Sequence, residues 1–106
     1  MIDVAASAIG GTLDVTANDI EVTSAVGANA VDFDAAGGAG NIFDTGGGSL
    51  TVTTTTNLSA QNTDDITLDG ANDFQGTVTS SADNIGLNDT TGIELGMTTA
   101  AGTLDV

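Results

Sequence analysis

Lysine, arginine and histidine are all missing from this chain, so nothing in it offsets the 15 Asp and Glu residues that give a formal charge of −15. Nucleic acids and anionic lipid surfaces are gripped by basic side chains, and this absence excludes both as direct electrostatic partners. Cations are the counterpart such a chain attracts. Cysteine is missing too, which rules out a disulfide framework and leaves the redox compartment open. Aromatic residues make up 3% of the 106 residues, namely Phe33, Phe43 and Phe74, while 40% are hydrophobic. A single domain of this length must therefore fill its core with aliphatic side chains. No stretch approaches the roughly 18 apolar residues of a membrane span, and Met1-Ile2-Asp3-Val4 lacks the basic leader and apolar run of a signal peptide. No membrane insertion is expected, and if the protein is exported its address lies outside this segment.

What is present alternates with a period of two. Leu13 and Val15, Ile20 and Val22, Val31 and Phe33, Leu50 and Val52, Ile66 and Leu68, Ile85 and Leu87, and Ile93 and Leu95 form apolar pairs with the spacing of strands. These pairs are the expected core. Turn formers stand between them: Asn18-Asp19, Asp64-Asp65, Asn72-Asp73 and Asp83-Asn84 each precede an apolar pair, and glycine clusters at 37–40 and 46–48 mark bends. Thr, Val and Ile suit a pleated surface, and no apolar period of 3.6 supports a helix. A β-sandwich would draw on large aromatics to fill the roughly 10 Å between its sheets, whereas a narrow solenoid is filled by Leu, Ile, Val and Ala. The expected fold class is therefore all-β, a parallel β-helix (β-solenoid) of roughly three to five rungs, with residues 1–106 forming one segment.

A longer repeat is also visible. Gly11-Thr12-Leu13-Asp14-Val15 returns as Gly102-Thr103-Leu104-Asp105-Val106, and extending the alignment backwards sets Ile2 against Ile93 and Val4 against Leu95. Residues 1–15 thus resemble 92–106, which predicts a tandem array with a period near 91 residues.

The text Gly48-Ser49-Leu50-Thr51-Val52-Thr53, followed by Asn57-Leu58-Ser59-Ala60 and Asp65-Ile66-Thr67-Leu68, resembles the repeats of filamentous-haemagglutinin-like and autotransporter-type adhesins, as does Gly11-Thr12-Leu13-Asp14-Val15-Thr16-Ala17. The resemblance implies a right-handed parallel β-helix in a secreted bacterial surface protein.

Chemistry-bearing patterns are sparse. A lyase-type base would need Arg or Lys and a proton shuttle His, none of which exists here. Asp64 and Asp65 are adjacent and face opposite sides of a strand, so they suit a corner better than a glycosidase pair. The reading is of a protein that is not an enzyme and needs no cofactor. Gly37-Gly38-Ala39-Gly40-Asn41-Ile42-Phe43-Asp44 approaches a calcium-binding nonapeptide, but Ile42 stands where that motif has Asp. Thr51-Val52-Thr53-Thr54-Thr55-Thr56 reads as an exposed strand rather than an ice-binding row. Asn57-Leu58-Ser59 and Asn88-Asp89-Thr90 match glycosylation sequons that an Asn- and Thr-rich chain produces by chance.

Stacked turns would align the corner carboxylates Asp19, Asp64, Asp65, Asp69, Asp73, Asp83 and Asp89 about 4.8 Å apart. Their repulsion makes a cation such as Ca2+ the expected relief, with Asp64, Asp65 and Asp69 as its candidate ligands. The function that fits is a structural repeat of an extracellular, cell-surface fibre, stalk or adhesin that stacks head to tail on copies of itself. A surface glycan or a host or cell-surface target is its further partner, and a cation-binding surface module is the alternative.

Overall fold

The computed structural model describes residues 1–37 and 40–106. The described residues form twelve strands and no helix: β1 (Ile2–Val4), β2 (Ser7–Thr16), β3 (Ile20–Val22), β4 (Ala25–Asp34), β5 (Ile42–Asp44), β6 (Ser49–Val52), β7 (Thr56–Ser59), β8 (Ile66–Phe74), β9 (Thr77–Ala82), β10 (Ile85–Asp89), β11 (Glu94–Ala100) and β12 (Leu104–Asp105). Every pairing is parallel. Parallel neighbours cannot be joined by a hairpin, so the chain must travel a full turn before it returns beside itself. The result is a β-solenoid of about five turns.

One column of side chains defines the coil. Ile2 pairs with Ile20, Ile20 with Ile42, Ile42 with Ile66, Ile66 with Ile85, and Ile85 with Leu104. The steps are 18, 22, 24, 19 and 19 residues, so the structural repeat is a single rung of about 19 residues and not 91. The two copies of Gly-Thr-Leu-Asp-Val occupy different faces: Leu13 lies beside Val31 in β4, whereas Leu104 lies beside Ile85 in β10. Ile93 and Leu95 likewise do not correspond to Ile2 and Val4. A five-letter identity built from strand-favouring residues fits either face, because both demand the same alternation.

After the Ile column each turn bends into a second face, which β4 spans by pairing with β6 through residues 25–28 and with β7 through 31–34. The inward columns there run Leu13, Val31, Thr56, Val78, Leu95 and Val15, Phe33, Leu58, Ser80, Thr98. Small residues then close the turn. The amide of Ala17 reaches Asp34, that of Ala35 reaches Ser59 and that of Ala60 reaches Ser81, while Ala100 stands beside Ala82. This alanine column lets backbones turn tightly at one corner. The steps between rungs differ because the connections differ in length: Asp19 follows Ala17 by two positions, whereas Asn41 follows Ala35 by six.

The core follows the period-two pattern. Ile20, Val22, Val31, Phe33, Leu50, Val52, Ile66, Leu68, Ile85 and Leu87 are buried as expected. Leu13, Val15 and Ile93 are only partly buried against it, and Leu95 is 37% exposed. These four lie on the first and last rungs, which have a neighbour on one side alone. Ile42, Leu58, Phe74 and Val78 join the core, whereas Phe43 faces outward between Glu21 and Thr67.

Glycine is required where one rung's carbonyl presses on the next. A Cβ at Gly76 would collide with the carbonyl oxygen of Thr54, at the bend between the two halves of the second face. Gly46, with φ of 59°, turns the Thr45–Gly48 loop through a conformation costly for other residues.

Candidate functional site

Two polar systems are built by the coil, and both come from residues that break the apolar pattern. The first is a ladder at the corner just before the Ile column. The Asp19 carboxylate accepts from the Asn41 amide N–H at 2.8 Å, and the Asn41 side-chain oxygen accepts from the Asp65 N–H at 2.8 Å. Asp65 Oδ1 accepts from the Asn84 N–H at 3.2 Å and its Nδ2 at 2.9 Å. Asn84 Oδ1 then accepts from the Thr103 N–H at 3.0 Å and its hydroxyl at 2.8 Å. Each rung's side chain thus satisfies a backbone donor on the next, which sets the stacking register.

Asp and Asn alternate along this ladder. Its carboxylates are therefore about 9.6 Å apart instead of 4.8 Å, which halves the repulsion in water from about 0.9 to about 0.4 kcal/mol. Along the ladder itself the expected alignment of corner charges is relieved by alternation. It persists one residue earlier, where the Asp83 N–H donates to the Asp64 carbonyl on the adjacent rung, and on the outer faces, where Asp3 lies beside Glu21 and Asp14 beside Asp32.

The second system is inside. Asp44 stands in the inward column where β3 has Val22, and its buried carboxylate accepts from the N–H groups of Asp69 at 3.1 Å and Gly70 at 3.0 Å, and from Asn72 Nδ2 at 3.2 Å. Asn72 is fully buried; its amide also donates to the Leu68 carbonyl, and its oxygen accepts from the Leu50 N–H at 2.8 Å. Burial pushes the Asp44 carboxyl above its ordinary 3.8, partly countered by the Gly70 and Asn72 hydrogen bonds and reinforced by the Asp69 side chain. One register step on, Asp89 pairs with Asn72. Its slight burial pushes upward too, but donors from Thr91, Gly92 and Phe74 together bring its carboxyl below 3.8. The network replaces apolar packing at one bend with fully engaged polar groups, as burial of such groups demands.

The candidate cation ligands lie just before β8 and within it. Asp64 and Asp65 form the corner that opens β8, and Asp69 follows Leu68 about 13 Å farther along at strand rise. Among the described residues no group of three or more Asp or Glu side chains is placed to hold a metal ion. Asp65 is engaged in the ladder, and Asp64 Oδ2 is buried without a hydrogen-bond partner among the described residues. Gly38 and Ala39 of the nonapeptide-like stretch lie outside the described residues. In the threonine run, Thr51 stands beside Asp73 and Thr56 points into the core, so no row of hydroxyls forms. Asn57 is exposed with its amide donating to Asp32, and Asn88 is exposed with its amide on the Gly70 carbonyl.

Reading corners one at a time misses both systems. The ladder was signalled by a recurring tetrapeptide, Asp19-Ile20-Glu21-Val22, Asn41-Ile42-Phe43-Asp44, Asp65-Ile66-Thr67-Leu68 and Asn84-Ile85-Gly86-Leu87. Asp44 is the one polar residue at its fourth position.

Residues 23–81, or 59 of the 106, match the family described as repeats of unknown function (DUF5649). The chain belongs to this repeat family. No curated protein and no solved structure matches it. The matched span runs from the bend after β3 to near the end of β9, and so covers the middle rungs with the Asp44–Asn72 network and one full ladder step, Asn41 to Asp65. This member of the family is a repeat-containing β-solenoid structural protein.

Proposed function

We propose that the chain is a structural repeat of an extracellular bacterial surface fibre, stalk or adhesin, stacked head to tail into a long filament whose task is length and stiffness. One observation carries this reading. Among the described residues, the large apolar side chains left exposed are Met1, Ile2, Leu95, Met97, Leu104 and Val106, all on the first and last rungs. The flanks, by contrast, present Asp, Asn, Ser and Thr. Exposed apolar surface at open strand edges marks a contact site. A coil of parallel rungs lengthens along its axis, each further rung adding about 4.8 Å.

Membership of a repeat family supports serial use of the unit, and the resemblance of β6, β7 and the start of β8 to adhesin repeats supports a surface setting. The flanks are then free to meet a glycan or cell-surface target. The test is antibody labelling of intact cells with imaging of the labelled particles. Label on intact cells, on rods that lengthen with repeat number, is expected. Label that appears only after lysis overturns the extracellular setting, and round particles overturn the fibre.

A further inference from the structure

The outward column next to the Ile column runs Asp3, Glu21, Phe43, Thr67 and Gly86. It holds the one phenylalanine that the fold leaves at the surface, since Phe33 and Phe74 are buried. Phe43 lies on a middle rung, with β3 on one side and β8 on the other. Its ring borders a shallow hollow of about 330 Å3 whose other walls are Asn41, Asp65 and Thr67. Thr67 also borders a second hollow, over Gly86, walled by Asp69 and Asn88. No atom lies within 4 Å of a Cβ at Gly86, so the trough stays open from Phe43 across two rungs, or about 9.6 Å.

Carboxylates flank the ring. Glu21 is one rung away, at about 4.8 Å, and Asp65 and Asp69 are its diagonal neighbours on the next rung, at about 7–8 Å. Glu21 Oε2 accepts from the Thr45 hydroxyl and Asp65 Oδ1 from the Asn84 amide, while the other oxygen of each carboxylate meets no donor among the described residues. An aromatic face attracts a cation, and adjacent carboxylates add charge-assisted hydrogen bonds to it. With no lysine, arginine or histidine in the chain, no side chain of a second copy supplies that cation. Nor, among the described residues, do three carboxylates converge to hold a metal ion. The complementary charge must come on a different molecule. We propose that the outer face of β3, β5, β8 and β10 docks an extended, arginine-bearing segment of a partner protein, with one guanidinium on the Phe43 ring between Glu21 and Asp65 and a second, two residues along, at Asp69. A guanidinium is planar, stacks on a ring and donates in a fork to carboxylates, which a compact ammonium does not. Alternate residues of an extended segment are about 6.6 Å apart, close to the diagonal from Phe43 to Asp69. The inference goes beyond the fibre reading and stands without it, because a single chain in solution presents this face.

The probe is the peptide acetyl-Gly-Arg-Gly-Arg-Gly-amide, titrated by NMR into the isotope-labelled native chain at about 0.15 M salt, where charges more than about 8 Å away are largely screened. The amide signals of Phe43 and Thr67 should shift, and those of Asp14 and Asp32 on the second face should stay. Phe43→Leu changes no charge and should raise the dissociation constant about fivefold. Glu21→Gln and Asp65→Asn keep the oxygens used by Thr45 and Asn84; each should raise it about threefold or more, against less than about 1.5-fold for Asp14→Asn or Asp32→Asn. Circular dichroism verifies the fold of each variant. The absence of any shift overturns the proposal, as does a Phe43→Leu variant that binds like the native chain. Equal losses in all four carboxylate variants mark diffuse attraction to the net charge and overturn the site. A lysine peptide of the same length that binds as tightly overturns the choice of guanidinium. Shifts at Phe43 caused by maltohexaose and not by the peptide assign the face to a neutral glycan and overturn the protein partner.

Discussion

Truncating Ile66 to alanine interrogates the column on which the coil is wound. Ile66 is 0% exposed and lies between Ile42 and Ile85, so its side chain is covered by rungs on both sides. Each methyl or methylene removed is worth about 0.8 kcal/mol, and isoleucine has three more than alanine, so transfer alone comes to about 2.4 kcal/mol. Neighbouring rungs are tied by ladder hydrogen bonds at Asn41–Asp65 and Asp65–Asn84 and cannot collapse into the gap, which adds a cavity term and brings the total to about 3–4 kcal/mol. For a domain near 100 residues this corresponds to a midpoint lowered by about 12–30 °C. The same change at the ends of the column, Ile2→Ala or Leu104→Ala, removes side chains that are 43% and 48% exposed and have one neighbouring rung, and should cost about 1 kcal/mol or less. Urea denaturation followed by far-ultraviolet circular dichroism measures the series. The reasoning is refuted if the end substitutions cost as much as Ile66→Ala, or if Ile66→Ala is silent while Thr67→Ala on the outward face is severe.

Three further outcomes follow from single features. Ser80 is buried with a hydroxyl that has no partner among the described residues, so Ser80→Ala should leave stability unchanged or raise it by about 1 kcal/mol; a clear loss in the thermal midpoint would contradict this. Gly76→Ala should cost several times more than Gly10→Ala, because its Cβ collides with the Thr54 carbonyl while position 10 is open; equal midpoints would show the bend to be slack. The third concerns pH. The folded chain holds the Asp44 carboxyl above 3.8, so between 3.8 and the folded value it binds the proton that the unfolded chain has released, and stability falls as pH rises through that window. Asp89 is held below 3.8, so its contribution is present above 3.8 and is lost as pH falls through its folded value. Unfolding free energies of the native chain minus Asp44→Asn should therefore decline as pH rises above 3.8, and those minus Asp89→Asn should decline as pH falls below it; opposite slopes would reverse the assignment.

The sequence by itself determined that this is a β-solenoid with an aliphatic interior. Period-two pairs such as Ile20 and Val22 or Ile66 and Leu68 read the same in any context, because alternation across a pleated strand is local. The missing aromatics and basic residues narrowed the architecture and the partners in the same way, without reference to neighbours in space. Tertiary structure alone decided which pairs stack. The true period is a rung of about 19 residues rather than 91, since the loops after Ala35 and Ala60 vary in length and hide the spacing of the Asp/Asn-Ile tetrapeptide. It also decided that Leu95, apolar and correctly spaced, stays exposed on the last rung, whereas Asp44 goes inside. Burial in a coil depends on having a rung both above and below, and a charged residue enters the core only where donors such as the Gly70 N–H and the Asn72 amide wait in the neighbouring turn. Both conditions depend on contacts between residues about 20 positions apart in the chain, which no local pattern records.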